Sequence, residues 1–302
     1  MLSVVFFRRL AFLTAFFAYL QIALGGLVRV SGSGLGCPDW PLCHGRPYPP
    51  ANIHSIIEYS HRTVGSITGV LIIATVVLAW LLFRERRPAV AWIASASLVG
   101  VAAEGGLGAL VVANELSPWL VVVHLGLAMI ILGCLVATAV MSLPTSDGAR
   151  DPAFTRLTVL ATGATFLMLL TGSTVVASNA DQRCNTWPLC GSGFTPSFGG
   201  VDAFTMLHRG VVLLVSIILV YVLVKALRRP GLSAVAMATL VVLAAQVAVG
   251  AGAAVTDGEL FNGLHVAIAT LVWAGILSTT LLTLPRTDRV PDMSLAAEKT
   301  GA

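Results

Sequence analysis

The chain has 302 residues, of which 57% are apolar and only 11% are Asp, Glu, Lys or Arg, against about 25% charged in an ordinary soluble domain. That composition excludes a soluble globular fold and leaves no room for a separate aqueous domain. The net charge of +4 does not indicate nucleic acid, because the 18 basic residues are spread over short loops and make no continuous phosphate-binding stripe. The partner that the composition implies is a lipid bilayer.

A membrane helix takes roughly 20 apolar residues. Hydrophobic runs bounded by charge, Pro or Gly clusters predict spans near 10–30, 53–83, 89–113, 119–143, 156–178, 203–224, 232–256 and 261–284. The fold class is therefore an all-α integral membrane protein with eight transmembrane helices. The run after Arg8 and Arg9 exceeds a signal-peptide core and ends in Arg29 and Ser-Gly repeats, so it reads as a retained first span. With alternate loops on opposite sides, thirteen basic residues share one side: Arg8, Arg9, Arg84, Arg86, Arg87, Arg150, Arg156, Lys225, Arg228, Arg229, Arg286, Arg289 and Lys299. By the positive-inside rule both termini are cytoplasmic and the loops 31–52 and 179–202 lie outside. The polar stretch 288–302 reads as a disordered cytoplasmic tail.

The chain also repeats itself. Cys37-Pro-Asp-Trp-Pro-Leu-Cys43 recurs as Cys184-Asn-Thr-Trp-Pro-Leu-Cys190, and His61-Arg62 as His208-Arg209, at an offset of 147. Gly106-Leu-Gly108-Ala matches Gly250-Ala-Gly252-Ala at an offset of 144, and His124 matches His265 at 141. Four spans is an even number, so the copies insert with the same orientation and are related by an axis along the membrane normal. Two tandem, pseudo-two-fold-related four-helix bundles are expected, at 1–150 and 151–287.

His61, His124, His208 and His265 all fall near the outer ends of even-numbered spans, at similar depth. His61 can face His124, and His208 can face His265, across their bundle cores; two facing imidazoles are what a six-coordinate haem iron requires. A single intramembrane histidine is equally well a helix-bridging hydrogen bonder, and it is duplication of the pair that favours function. Zinc or copper would favour three or four clustered ligands. Gly65, Gly69, Gly106, Gly108, Gly126, Gly210, Gly250 and Gly252 would let a flat macrocycle lie close, although small residues also serve ordinary helix packing. Arg29, Arg62 and Arg209 are candidate partners for haem propionates, or snorkel to lipid phosphates.

The two Cys-x5-Cys motifs fall on the outer side, where disulfides persist. Trp-Pro within each favours a tight turn, pairing Cys37 with Cys43 and Cys184 with Cys190; a tetrathiolate zinc shared by the loops is the alternative, at unusual spacing. Cys134, inside span four, reads as a small buried apolar residue. The halves differ in their acids. His54, Glu58 and His61 share a helix face, while Val201 and Thr205 stand where His54 and Glu58 would recur. Glu58 is suited to proton transfer or charge stabilisation, or is a helix-start carboxylate favoured by the macrodipole. Glu104 is a second intramembrane acid, expected to pair with a buried Arg or relay protons, with Ala248 at its place in the repeat.

Glu58-Tyr-Ser-His61-Arg62, His124, His208-Arg209, His265 and the paired Cys motifs resemble the haem A synthase family over about residues 8–284. The resemblance implies oxidation of the C8 methyl group of haem O to a formyl group by successive hydroxylations, for cytochrome oxidase cofactor supply. It implies a resident haem b cofactor ligated by His208 and His265, with haem O as the substrate received by His61 and His124 beside a catalytic Glu58. Haem O synthase and cytochrome oxidase assembly factors are further candidate partners, and the location implied is a bacterial plasma membrane. Two other classes fit duplicated bundles: a di-haem b-type electron-transfer protein, expected to have symmetrical halves, and a haem transporter.

Overall fold

The computed structural model describes residues 3–144, 151–180, 183–184, 186–190, 197–256 and 258–285. Arg150, Arg286, Arg289, Lys299 and the tail 288–302 lie outside the described residues. Eight helices are present among the described residues: α1 (Val4–Val30), α2 (Ile53–Phe83), α3 (Pro88–Ala113), α4 (Pro118–Met141), α5 (Pro152–Ala177), α6 (Asp202–Leu227), α7 (Ser233–Thr256) and α8 (Glu259–Thr283). All eight are long and apolar enough to cross a membrane. Helices answer the bilayer's main demand, since each satisfies its own backbone N–H and C=O groups where no water can.

Local signals place the ends. Pro at the first helical position opens α3, α4 and α5, where the missing N–H would have had no partner anyway. Side chains of Ser3, Asn52 and Asp151 cap α1, α2 and α5. α1 begins six residues earlier than the apolar run suggests, because Ser3 caps it and Arg8 Nε donates to Ser142 O at 2.8 Å, tying the basic pair into the helix. α2 has 31 residues, about 46 Å at 1.5 Å per residue against a hydrocarbon core of about 30 Å. Its first turns therefore stand at a membrane boundary.

Within the first half α1 packs on α2, α2 on α3, α3 on α4 and α4 back on α1; α5 to α8 close a second ring in the same order. In each ring the two histidine-bearing helices, α2 with α4 and α6 with α8, lie on a diagonal and are not among the closely packed neighbours. The rings join through α1 with α8, α4 with α5 and α4 with α8. Central and peripheral helices differ in burial: 44% of the most apolar stretch of α8 is buried but 11% of that of α3, which leaves α3 largely to lipid. The main core gathers Met129, Leu132, Leu135, Val272, Trp273 and Ile276 at the seam, where Trp273 Nε1 donates to Met129 O at 3.3 Å. Buried threonine pairs Thr14 with Thr75 (2.9 Å) and Thr162 with Thr280 (2.7 Å) add interhelical hydrogen bonds, each worth about 0.6 kcal/mol in a membrane interior.

Candidate functional site

The loop between α1 and α2 docks on the start of α2. Ser55 Oγ donates to Gly36 O at 2.6 Å, and a Cβ at Gly36 would lie 2.5 Å from the His54 carbonyl carbon, so this approach needs glycine. Glu58 is 3% exposed. Its Oε2 accepts from the Cys37 backbone N–H at 2.8 Å, and its Oε1 pairs with Arg62. Arg62 donates further to the carbonyls of Asp39 and Leu42, both at 2.6 Å, and of Cys37 at 2.8 Å. At the loop tip, Asp39 accepts from the N–H groups of His44 (2.6 Å) and Gly45 (2.8 Å), both at positive φ. The Gly45 N–H first, and the His44 N–H after it, hold this carboxyl below the usual carboxylate range.

Cys37–Cys43 and Cys184–Cys190 are disulfides, so the two loops form separate rings and share no tetrathiolate site. Cys134, expected to be buried, is half-buried and free. Arg209 repeats part of the Arg62 clamp by donating to Pro188 O at 3.2 Å. Thr205, at the place of Glu58, donates to Ala180 O at 3.4 Å. Of the three arginines considered for propionates, Arg62 and Arg209 are thus engaged with loop carbonyls, and Arg29 is exposed in the last turn of α1.

The four histidines sit six to eight residues into their helices, at matching depth. His61 and His124 stand on the two helices of one diagonal, and His208 and His265 on those of the other. Every one of them is backed by a polar side chain from an odd-numbered helix. Gln21 Nε2 lies 3.2 Å from His61 Nε2, and Glu104 Oε1 3.0 Å from His124 Nδ1. Thr171 Oγ1 lies 2.9 Å from His208 Nδ1, and Gln246 Nε2 lies 3.1 Å from His265 Nδ1. The Thr171 hydroxyl donates to Met168 O, so it accepts from His208 Nδ1–H and leaves the lone pair on Nε2.

Glycines back the same rings. A Cβ on Gly25 would lie 3.2 Å from His61 Cε1, on Gly108 3.4 Å from His124 Cε1, on Gly172 3.0 Å from His208 Cε1 and on Gly250 2.8 Å from His265 Cε1. Of the glycines picked from sequence, Gly108 and Gly250 reach a histidine, whereas Gly65 meets Gln21, Gly126 meets Leu170 and Gly252 meets Phe261; Gly69, Gly106 and Gly210 meet nothing. Gly25, Gly172, Gln21, Thr171 and Gln246 were not signalled by any motif, although Gly25 and Gly172 keep the 147 offset.

Glu104 meets His124 and not an arginine, which corrects the sequence expectation. Its counterpart is also different. Glu104 and Gln246 each hold the second histidine of their half, and Gly108 and Gly250 each pack on it, so the register between α3 and α7 is 142. Gln246, not Ala248, is the residue that stands for Glu104.

The arrangement suits a planar macrocycle ligated on both faces: two imidazoles on an open diagonal, each set against a glycine and a polar partner. The buried polar side-chain atoms left without a hydrogen-bond partner point the same way. Among the described residues six such atoms occur, and five belong to these two sites: Gln21 Oε1, His61 Nδ1, Glu104 Oε2, His124 Nδ1 and Gln246 Oε1. The 3.0 Å contact of His124 Nδ1 with Glu104 is therefore a close approach whose N–H is not aligned as a hydrogen bond. Buried groups of this kind demand an explanation, and a ligand completing the site is one. Among the described residues no three His, Cys, Asp or Glu side chains cluster as a metal site.

The chain resembles known proteins over most of its length. The family described as cytochrome oxidase assembly protein (COX15-CtaA) matches over residues 8–56 and 51–277. The chain is similar to the haem A synthase of Bacillus pumilus, 30% identical over 226 residues that cover 68% of this chain and 70% of that protein. It is 29% identical to the haem A synthase of Halalkalibacterium halodurans over 283 residues, 89% of this chain and 92% of that one. The haem A synthase of Exiguobacterium sibiricum is 26% identical over 283 residues, with 90% and 94% covered.

Proposed function

The chain belongs to the haem A synthase family of cytochrome oxidase assembly proteins, and from that premise we propose that it oxidises the C8 methyl group of haem O to a formyl group. The conversion removes four electrons in two hydroxylations, the second giving a gem-diol that loses water. The observation that carries this reading is the pair of histidine diagonals with matching supports, combined with carboxylates beside the histidines in the first half only.

His61 and His124 receive the substrate haem, and His208 and His265 hold a haem b, which supplies a one-electron redox centre when bound. Thr171 orients His208 and fixes its tautomer, while Gln246 braces His265. Glu58, three residues before His61 at the outer boundary, acts at the substrate's methyl group, where a carboxylate stabilises cationic character or guides the attacking oxygen. Arg62 and the disulfide ring hold that carboxylate at the mouth of the first bundle and limit water there. Both termini face the cytoplasm of a bacterial plasma membrane, which puts the disulfide loops on the oxidising side. Haem O synthase and cytochrome oxidase assembly factors are the partners that would deliver substrate and accept product.

A symmetrical electron carrier has no use for carboxylates confined to one half. Pigment extraction after expression with and without a haem O supply tests the reading: a new formyl-haem that depends on both haem O and this chain supports it. Two bound haems without any formyl product would point to the electron carrier.

A further inference from the structure

The two histidine sites are alike in helix placement and glycine support, and the partners of their second histidines differ. In the first half the partner of the second histidine is a carboxylate, Glu104, 3.0 Å from His124 Nδ1 with a side chain 14% exposed. In the second half it is an amide, Gln246, 3.1 Å from His265 Nδ1 and 8% exposed. Both sit on the third helix of their bundle, and both are followed four residues later by the glycine that packs on the histidine. Glu and Gln have nearly the same shape, so packing does not explain the difference. Charge does.

We propose that Glu104 is a positioning residue that makes the first-half iron centre prefer the ferric state more strongly than the second-half centre. The inference rests on the reading that the His61–His124 pair receives a haem. The Glu104 carboxylate sets a negative charge 3.0 Å from His124 Nδ1 inside the bundle, where charge acts more strongly than in water. Gln246 instead presents its uncharged amide nitrogen, a donor, to His265, and its Oε1 has no partner. A negative charge beside an axial ligand stabilises the higher oxidation state of the iron it would hold, since the ligand's surroundings are a lever on haem potential. The amide of Gln246 braces His265 without adding negative charge. Glu104 Oε2, buried and without a partner, is the atom whose desolvation a ferric centre's positive charge would offset.

The test is a potentiometric titration of the full-length protein in detergent, purified from cells supplied with haem O and followed by optical and electron paramagnetic resonance spectra. The two centres are assigned with His61→Ala and His208→Ala. Glu104→Gln is expected to raise the first-half midpoint by at least about 59 mV, one decade in ferric preference for a one-electron couple, with the second-half midpoint unchanged. Gln246→Glu is expected to lower the second-half midpoint, a measurement that stands even if Glu104→Gln does not fold. A first-half haem whose midpoint ignores Glu104→Gln overturns the inference and leaves the functional reading intact. If no haem signal depends on His61 or His124, the assignment of the substrate half fails and takes the inference with it. Gln246→Glu that folds and leaves its midpoint in place also overturns it.

Discussion

Glu58 Oε2 accepts a hydrogen bond of 2.8 Å from the backbone N–H of Cys37, one member of the outer disulfide. The bond joins the helix that carries His61 to the ring above it, and Arg62 closes the arrangement by binding Glu58 and three loop carbonyls. The carboxylate thus has two tasks that a single substitution confounds: it positions the loop, and in the proposed reaction it serves the substrate. Repeat symmetry makes the first task partly dispensable, because Thr205 replaces Glu58 in a second loop that still docks through Arg209.

Two variants separate these tasks. Glu58→Gln retains an oxygen for the Cys37 N–H but loses the charge, so the loop is expected to stay docked while haem A formation falls at least 100-fold, about 2.7 kcal/mol of transition-state stabilisation. Arg62→Gln removes the clamp and keeps the carboxylate, and is expected to loosen the loop towards protease with a smaller loss of product. Equal losses in both variants, with equal loop cleavage, would make Glu58 a loop anchor and end its catalytic assignment.

The histidine pairs are expected to separate by phenotype. His208→Ala or His265→Ala should remove or perturb the low-spin haem b spectrum of protein isolated without haem O. His61→Ala or His124→Ala should keep that spectrum and abolish formyl-haem. If His61→Ala removes the resident haem and His208→Ala does not, the halves have exchanged roles.

Helix number and the histidine depth were legible because both rest on long-period signals: runs of apolar residues, and a repeat that carries His61 onto His208. The polar partners were not legible. Gln21, Thr171 and Gln246 are ordinary residues in apolar helices until a neighbouring helix brings a ring to them. The register between α3 and α7 failed for a related reason: Gly-Ala-rich helices resemble themselves at several shifts, so a match of Gly106 with Gly250 looked sound until the side chains fixed Gly108 against Gly250. The anchoring of Glu58 to Cys37 could not be foreseen either, because it depends on how a loop folds over a helix end.

The disulfide rings make a simple chemical prediction. The chain has five cysteines, and four are paired, leaving Cys134. Protein denatured without reductant should titrate one thiol, and five after reduction. Five thiols before reduction would remove both rings.

The turn at the tip of the loop between α1 and α2 should open in acid. The Asp39 carboxyl lies below its ordinary range in the folded loop, so its contribution is fully present above the unfolded value of about 3.9 and is lost as pH falls through the lower folded value. Loop protection, read by hydrogen exchange at His44 and Gly45, should be flat from neutral pH down to about 4 and fall only in stronger acid. Asp39→Asn should abolish that acid step. A step near neutral pH would contradict the assignment to Asp39.

The glycines beside the histidines give the most local test of the haem sites. At Gly250 an added Cβ would lie 2.8 Å from His265 Cε1, closer than side chains pack, so the ring must move. Overpacking of this kind costs about 1–3 kcal/mol, and here the strain falls on the proposed iron ligand and not on the general fold. Gly250→Ala is therefore expected to shift the low-spin haem spectrum and weaken haem retention by about tenfold, which corresponds to about 1.4 kcal/mol. Gly172→Ala, at 3.0 Å from His208, should act in the same direction and less strongly. Gly163→Ala, on the same helix as Gly172 but with nothing within 4 Å of the new carbon, is the control and should leave the spectrum at its parental position. If all three variants keep the parental spectrum and retention, His208 and His265 are not the ligands of the resident haem.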